Sequence, residues 1–600
     1  MCGVFALFLR RPLSEADIAL GRAGTRALAH RGPDAEGEWM DRGRGVYLGH
    51  RRLAIIDLAP EANQPMLRDR LAISYNGEIY NYRALRERLA AKGATFSTRS
   101  DTEVLLRAWQ EKGPEALDDF DAMFAFALWD GEAGYLACDR YGEKTLYVAE
   151  TADGLYVSSE LTPLVRLLKP KRREEPELVT AFMTLGYIPG PDTIWQGISR
   201  LMPATWLKIV QGRGQSARSY WTPPFGEPGR GRVRPLSERD LDRIHETLVE
   251  SVKLRLEADV PACLFLSGGV DSGLIGGILA KDLRRPVEAI TIAYPQDPRI
   301  NESDIAAAFA KSLGLTHRVV ADPGADEPVT PEFLLELFGQ PNIHITTKSI
   351  LRMAAAARTN GFKVGLTGMG GDELFYGYQK HAFFFRHRLF FSLPEGVRMA
   401  LGTLASPLAR ISGKASALSQ VGGVRDRERY VALKNVNLIA MLRRLPGFAD
   451  WCDRHYGGPR GRIAYQVPIL DLVDTLVNSQ LVAYDLASMR ASHELRTPFL
   501  SGTLQSVMAQ FDPRSLMAFG QKSVLRRILA RYADRKLASL PKRGFIYPTS
   551  AFLKGLQPPS AVAGVAPEWQ AEVWSQRNRG DWQNLAARLI LFDRFQSPST

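Results

Sequence analysis

Apolar positions along the chain follow two rhythms. Up to about residue 210 they come in short runs, at 45–49, 53–57, 71–75, 123–129, 135–139, 145–148 and 154–158, broken by Gly, Asp and Asn. Runs of this length predict strands, and with helical stretches near 82–92 and 102–113 they predict a layered antiparallel α+β domain. From 237 the rhythm changes to a helix over 237–258, an apolar strand at 262–266, a helix over 272–282, a strand at 288–294, a helix over 303–313 and a strand at 363–366. Fully apolar strands alternating with helices predict an α/β unit whose parallel sheet is covered on both faces. Beyond 375 the pattern is mostly helical, and beyond 555 it reads as a less ordered tail. The expected division is a first domain at 2–215, a linker at 216–236 (Pro-, Gly- and Arg-rich over 222–234), a second domain at 237–555 and a tail at 556–600.

Composition narrows the classes. No run of 18 apolar residues occurs, and the opening M-C-G-V-F-A-L-F-L-R has no basic region, so neither a membrane span nor a signal peptide is expected. Cys2, Cys138, Cys263 and Cys452 are widely spaced without a C-x-x-C pair, which argues against a disulfide framework or zinc site and for a reducing cytoplasm. The net charge of +12 is scattered arginine, so no nucleic-acid partner is expected. The segment 381–429 mixes Phe-rich runs with arginines and reads as a helical cover with solvated cations, or as a surface for an acidic substrate or membrane.

Two features carry chemistry. Removal of Met1 makes Cys2 the amino terminus, joining a thiol to an α-amine whose ordinary pKa of about 7.7–8.0 suits it as that thiol's base. The loop S-G-G-V-D-S at Ser267 to Ser272 follows a predicted strand and opens a helix. Gly268 and Gly269 let backbone N–H groups approach phosphate oxygens, and Ser267 and Ser272 add hydroxyls at a helix N-terminus. Asp271 belongs among phosphates only if Mg²⁺ bridges them, and Asp372 in a second strand-end turn, G-G-D-E, would complete that metal site.

S-G-G-V-D-S followed by G-G-D-E-L-F-Y-G-Y resembles the synthetase domain of glutamine-dependent asparagine synthetases, which are PP-loop ATP pyrophosphatases. A-S-M and H-E-L-R-T-P-F-L within 487–500, K-S-V-L-R at 522–526 and P-K-R-G-F at 541–545 are similar too. The resemblance implies cleavage of ATP between its α and β phosphates, giving an acyl-adenylate and pyrophosphate. It implies that Leu266, Ile292, Thr367 and Gly368 border the nucleotide and that Lys522 neutralises charge on the α-phosphate.

The N-terminal motifs C-G-V-F, R-G-P-D at 31–34, H-R-R-L-A-I-I-D at 50–57, Y-N-G-E-I-Y-N at 75–81, S-D-T-E at 100–103 and D-R-Y-G-E-K-T-L-Y at 139–147 resemble class II glutamine amidotransferases, an Ntn-hydrolase-type sandwich. By this resemblance Cys2 attacks the glutamine amide, with Asn76 and the Gly77 N–H as oxyanion hole. Arg52 would clamp the glutamine α-carboxylate, and Asp101 and Glu78 its α-ammonium. His30 and His50 read as structural, and the resemblance implies an internal channel that carries ammonia to the second domain.

The chain departs from the family at T-G-M-G, where Met369 takes a usually acidic slot, and at Gly339-Gln340-Pro341 and Ile300-Asn301-Glu302, where acidic residues are frequent. Lys348 and the region 383–429 would suit a carboxylate on a larger molecule. The expected reaction converts aspartate, glutamine, ATP and water to asparagine, glutamate, AMP and diphosphate. The alternatives are the same mechanism on another carboxylate, such as a uronic acid of a surface polysaccharide, or a ligase-inactive paralogue. A homodimer is compatible with the sequence and not specified by it.

Overall fold

All seven residues of the first strand, Gly3–Leu9, are buried. Its alternate side chains serve two cores. Val4, Ala6 and Phe8 meet Leu48, Ala72, Ala125 and Leu136 between two sheets. Phe5, Leu7 and Leu9 pack with Ile18, Leu28, Leu161 and Leu164 under helices Glu15–Ala27 and Leu161–Leu168. A strand covered on both faces carries no polar alternation, which is why this one went unpredicted. The computed structural model describes residues 2–597 apart from 226–232, 286, 299, 323–326, 406, 408–418, 420–421, 435–437, 457–462 and 541–548.

The first sheet runs Ile198–Arg200, Tyr147–Glu150, Gly154–Ser158, Gly3–Leu9, Val46–Arg52 and Ala35–Asp41, antiparallel throughout. The second centres on Leu71–Ile79, Ala122–Trp129 and Gly134–Cys138. Its outer face packs with Leu85, Leu89, Val104 and Leu105 of helices Tyr82–Ala91 and Asp101–Lys112, giving the predicted layered α+β sandwich.

The second domain's sheet is parallel, ordered Thr316–Ala321, Glu288–Ala293, Ala262–Phe265, Val364–Leu366, Glu494–Arg496. The chain leaves the central strand to one side, then returns to the other. The crevice at that reversal lies between Ala262–Phe265 and Val364–Leu366, where the two glycine loops emerge.

Three expectations are corrected. Residues 53–57 form no strand, because the carbonyls of Ile56, Asp57 and Ala59 turn inward to the Arg52 guanidinium. Helix 272–282 begins at Val270, directly on the loop, and ends in a π turn at Ile278–Asp282. The tail is no tail: helices Pro567–Ser575 and Trp582–Gln596 fill it, and Leu585, Leu589 and Phe592 of the second join the core around Phe182. Arg588 fixes it there by donating to the Met183 and Thr184 carbonyls at 2.7 and 2.9 Å. Among the described residues no helix is long and apolar enough to cross a membrane.

Candidate active sites

Cys2 opens the first strand beside a narrow pocket lined by Arg52, Leu53, Tyr75, Gly77, Glu78 and Asp101. Its backbone nitrogen donates to Asn76 Oδ1 at 2.8 Å, and its carbonyl accepts from Arg31 Nε at 2.9 Å. With Oδ1 so used, Asn76 has its Nδ2 buried and without a hydrogen-bond partner among the described residues, a spare donor next to the thiol. Gly77 faces Phe124, whose own N–H and C=O are spent on Asp139 at 3.1 and 2.8 Å. Gly77 therefore sits in a non-hydrogen-bonded pair, and its N–H turns away from that strand. A Cβ at Gly77 would lie 2.6 Å from Phe124 Cβ, so only glycine fits. Burial pushes the Cys2 thiol upward, opposed by the Leu53 N–H and Arg52. A base beside it is therefore needed.

Asp101 starts helix Asp101–Lys112 and accepts from Tyr75 Oη at 2.9 Å and the Ile79 N–H at 3.1 Å. Burial raises its carboxyl and these donors pull it back. Glu78 is 3% exposed; its Oε2 takes Arg496 Nη2 at 2.9 Å, while Oε1 has no partner among the described residues. Burial drives its carboxyl up against the pull of Arg496. Arg52 differs from expectation. Its two Nη groups face Asn63 Oδ1 at 2.7 Å, the Ala59 and Ile56 carbonyls at 3.1 and 3.2 Å, and the Asp57 carbonyl. That leaves Nε–H, not a paired edge, for an incoming carboxylate. His50 is fully buried with Nδ1 on Ser74 Oγ at 3.0 Å, and His30 sits 2.9 Å from Glu160; neither lines the pocket.

The second site is a cleft of about 700 Å³ at the sheet's carboxyl edge. Leu266, Ser267, Gly269, Asp271, Ser272, Ile292, Thr367, Gly368, Asp372 and Lys522 all line it; Gly268 does not, and packs on Ile305 instead. Ser272 Oγ accepts the Ser267 N–H at 3.1 Å, and Ser267 Oγ that of Gly269 at 3.2 Å, closing the loop on itself. The two loops touch: a Cβ at Gly368 would lie 2.7 Å from Asp271 Cβ. Lys522, held at φ +53°, sets its Nζ between Asp271 Oδ2 and Asp372 Oδ1, the latter at 2.7 Å. Two carboxylates a single cation can bridge form a hard-oxygen pair of the kind Mg²⁺ takes together with phosphate. The added Cβ at Gly371 would meet the Asp271 carboxyl carbon at 2.8 Å, so glycine leaves that oxygen face approachable.

Met369 lines the cleft and packs in the cluster of Tyr141, Leu472, Leu476 and Leu481, so the cleft wall abuts the first domain. Gly339 and Gln340 do not line the cleft. The Gly339 carbonyl accepts from Trp195 Nε1 at 2.7 Å and Gln340 Oε1 from the Ile194 N–H at 3.2 Å, at the domain boundary. Lys348 caps the Glu327 and Pro328 carbonyls at 3.0 Å, away from the cleft. Ile343, His344, Ile345 and Thr346, from the segment expected to neighbour the acceptor, do line it, with Tyr378 of the G-G-D-E-L-F-Y-G-Y motif and with Gln480 and Tyr484, which the sequence did not single out. Burial pushes His344 down to about 4, so it is a neutral imidazole. Tyr378 Oη donates to Glu373 at 2.6 Å and accepts from Gln480 at 3.1 Å. In the segment 381–429, Arg398 is buried on the Leu393 and Val424 carbonyls and Asp426, and Arg427 pairs with Asp453 at 2.6 Å. Arg398 and Arg427 thus bind the cover together, while Arg386 and Arg425 are exposed, as a solvated cover predicts. P-K-R-G-F at 541–545 lies outside the described residues.

An Ntn-type glutamine amidotransferase sandwich joined to a parallel-sheet domain with two glycine loops defines a two-site, glutamine-using protein. Residues 1–221 match the family described as glutamine amidotransferase domain, and residues 243–564 match asparagine synthase. The chain belongs to the asparagine synthase family and is a glutamine-dependent ligase of an ATP-utilising group. It is 31% identical over its whole length to a putative glutamine-hydrolysing asparagine synthetase of Mycobacterium bovis, covering 94% of that relative. It is 27% identical to asparagine synthetase 1 of Bacillus subtilis, covering 92% of this chain and 88% of the relative. It is also 29% identical to Amidase chry2 of Gibberella zeae, covering 91% and 89%. Among solved structures, the B. subtilis glutamine phosphoribosylpyrophosphate amidotransferase is similar at 16% identity, with a TM-score of 0.28, over 62% of this chain and 77% of that one.

Proposed function

We propose that the chain hydrolyses glutamine at Cys2 and uses the ammonia, with ATP and Mg²⁺, to amidate a carboxylate in the second cleft. The observation that supports it is the pairing of the Cys2–Asn76 arrangement with the Asp271–Lys522–Asp372 arrangement across a buried boundary. Cys2 Sγ bonds to the glutamine amide carbon while its α-amine takes the thiol proton. The spare Nδ2 of Asn76 and the Gly77 N–H hold the oxyanion. Ammonia leaves, and water frees glutamate from the thioester. Glu78 Oε1 and Asp101 receive the substrate's α-ammonium, and Arg52 its α-carboxylate through Nε.

In the cleft the acceptor carboxylate attacks the α-phosphorus of ATP and diphosphate departs. Lys522 and the loop N–H groups orient the phosphates, and Asp271 and Asp372 would hold Mg²⁺, which supplies charge neutralisation when bound. Ammonia then bonds to the acyl carbon and AMP leaves with the electron pair. Aspartate is the first acceptor to test, in a cytoplasmic, asparagine-forming reaction. A second reading, a carboxylate other than aspartate such as a uronic acid, is favoured by the uncharged side chains of Ile343, His344, Ile345, Thr346 and Met369, which line the cleft beside the acidic Glu302 and Glu373. Diphosphate release from ATP, Mg²⁺ and glutamine decides between them. Release with aspartate, forming asparagine, supports the first; release with uronates or other carboxylates alone supports the second. Release with none would return the inactive paralogue.

A further inference from the structure

The glutamine pocket is lined by first-domain residues, and one of them, Glu78, is held from behind by a residue of the synthetase domain. Arg496 ends the parallel-sheet strand Glu494–Arg496 and is wholly buried. Its guanidinium reaches Glu494 Oε1 at 2.6 Å, the Glu257 carbonyl at 2.7 Å and, across the boundary, Glu78 Oε2 at 2.9 Å. Its own carbonyl accepts the N–H of Thr367, on the nucleotide loop, at 3.0 Å. The side chain thus grips one oxygen of a glutamine-pocket carboxylate, leaving the other without a partner among the described residues, while the backbone touches the ATP loop.

We infer that Arg496 is a positioning residue for glutamine: it fixes Glu78 so that Oε1 faces the substrate α-ammonium, and the glutamine site is complete only when the synthetase domain is docked. This rests on the reading of Glu78 as a glutamine ligand. A charge-assisted, fully buried hydrogen bond restricts a carboxylate to one rotamer, so its loss is felt as substrate affinity and not as nucleophile chemistry. No proton is moved by Arg496.

The test uses the full chain and follows glutamate release without ATP, with ammonium-driven diphosphate release run in parallel. Arg496→Met is expected to raise the glutamine KM by on the order of 10- to 100-fold, the scale of one charged hydrogen bond, with kcat changed little. Arg496→Lys should recover part of that loss. Where Arg496→Met does not fold, the lysine variant and Glu78→Gln carry the test. In a Glu78→Gln background, Arg496→Lys should add no further rise in KM, since the partner is gone. An unchanged KM in folded Arg496→Met, or additive effects in the double variant, would overturn the assignment. Wild-type protein that hydrolyses glutamine yet never releases diphosphate would instead sink the ligase reading and leave this one standing.

Discussion

Arg31 Nη2 lies 2.9 Å from Asp485 Oδ2, and the two side chains are 0% and 2% exposed. The same arginine holds the Cys2 carbonyl and Glu160, and Lys144 reaches Asp485 from the first domain at 3.2 Å. Asp485 follows Tyr484, which lines the second cleft, so one helix, Leu481–Met489, touches both sites. Removing one member of a buried pair strands the other charge. Asp485→Ala should therefore cost about 3–5 kcal/mol. The thermal midpoint should fall by roughly 10 °C at domain size, and an unchanged midpoint in a scanning calorimeter would show the pair to be idle.

Cys2→Ala removes the nucleophile and keeps the fold. Glutamine-driven amidation should fall by ~10³-fold or more, while amidation driven by added ammonium persists. Glutamate and diphosphate are assayed side by side; loss of both activities, or of neither, contradicts the division of labour.

Much of this was legible in the sequence, and the rest failed for physical reasons. Short runs separated by Gly and Asp gave the sandwich strands, because each is bounded by a turn its residues demand. Glycine loops after apolar strands gave the cleft at the sheet's carboxyl edge, because only glycine permits the approach between Gly368 and Asp271. Gly3–Leu9 and Glu494–Arg496 were missed: the first has two buried faces, and the second is three residues long, below any periodicity. Arg31, Asp485 and Arg496 look like surface charge in one dimension. Their partners lie hundreds of residues away, so burial and pairing arise only on docking. Lys348 failed in the opposite sense, a plausible ligand in sequence that caps two carbonyls in space.

Lys522 is the cation shared by Asp271 and Asp372. Lys522→Met should lower diphosphate release by about 10²- to 10³-fold, the scale of losing one preorganised electrostatic partner. Release measured at saturating ATP checks it, and wild-type rates would remove Lys522 from the phosphate site.

Met369 sits among Tyr141, Leu472, Leu476, Leu481 and Leu500. Restoring an acid there, Met369→Glu, puts a carboxylate against the apolar side chains of that cluster. Its pKa would rise on folding, so the penalty grows with pH above the ordinary carboxylate range. The midpoint should drop by several degrees at pH 8 and by less at pH 5.5, at a cost of about 1–3 kcal/mol. A variant as stable as wild type at pH 8 and faster in amide formation would mean the wall accepts an acid after all.

His50 offers the cleanest pH dependence. Burial holds its imidazole near 3, against an ordinary 6.5, with Ser74 on Nδ1 and Arg52 and Arg51 adding repulsion to a proton. Between those values the unfolded chain binds a proton that the folded chain refuses. Stability from this group is thus full above 6.5 and is lost as pH falls toward 3, at about 1.4 kcal/mol per pH unit. His50→Gln keeps a partner for Ser74 and removes the titration. The variant should be the less stable protein at pH 7.5, and from pH 6.5 to pH 5 the gap should close by about 2 kcal/mol. Denaturant midpoints at the three pH values measure it, and a gap constant with pH would mean that His50 takes up its proton in the folded chain.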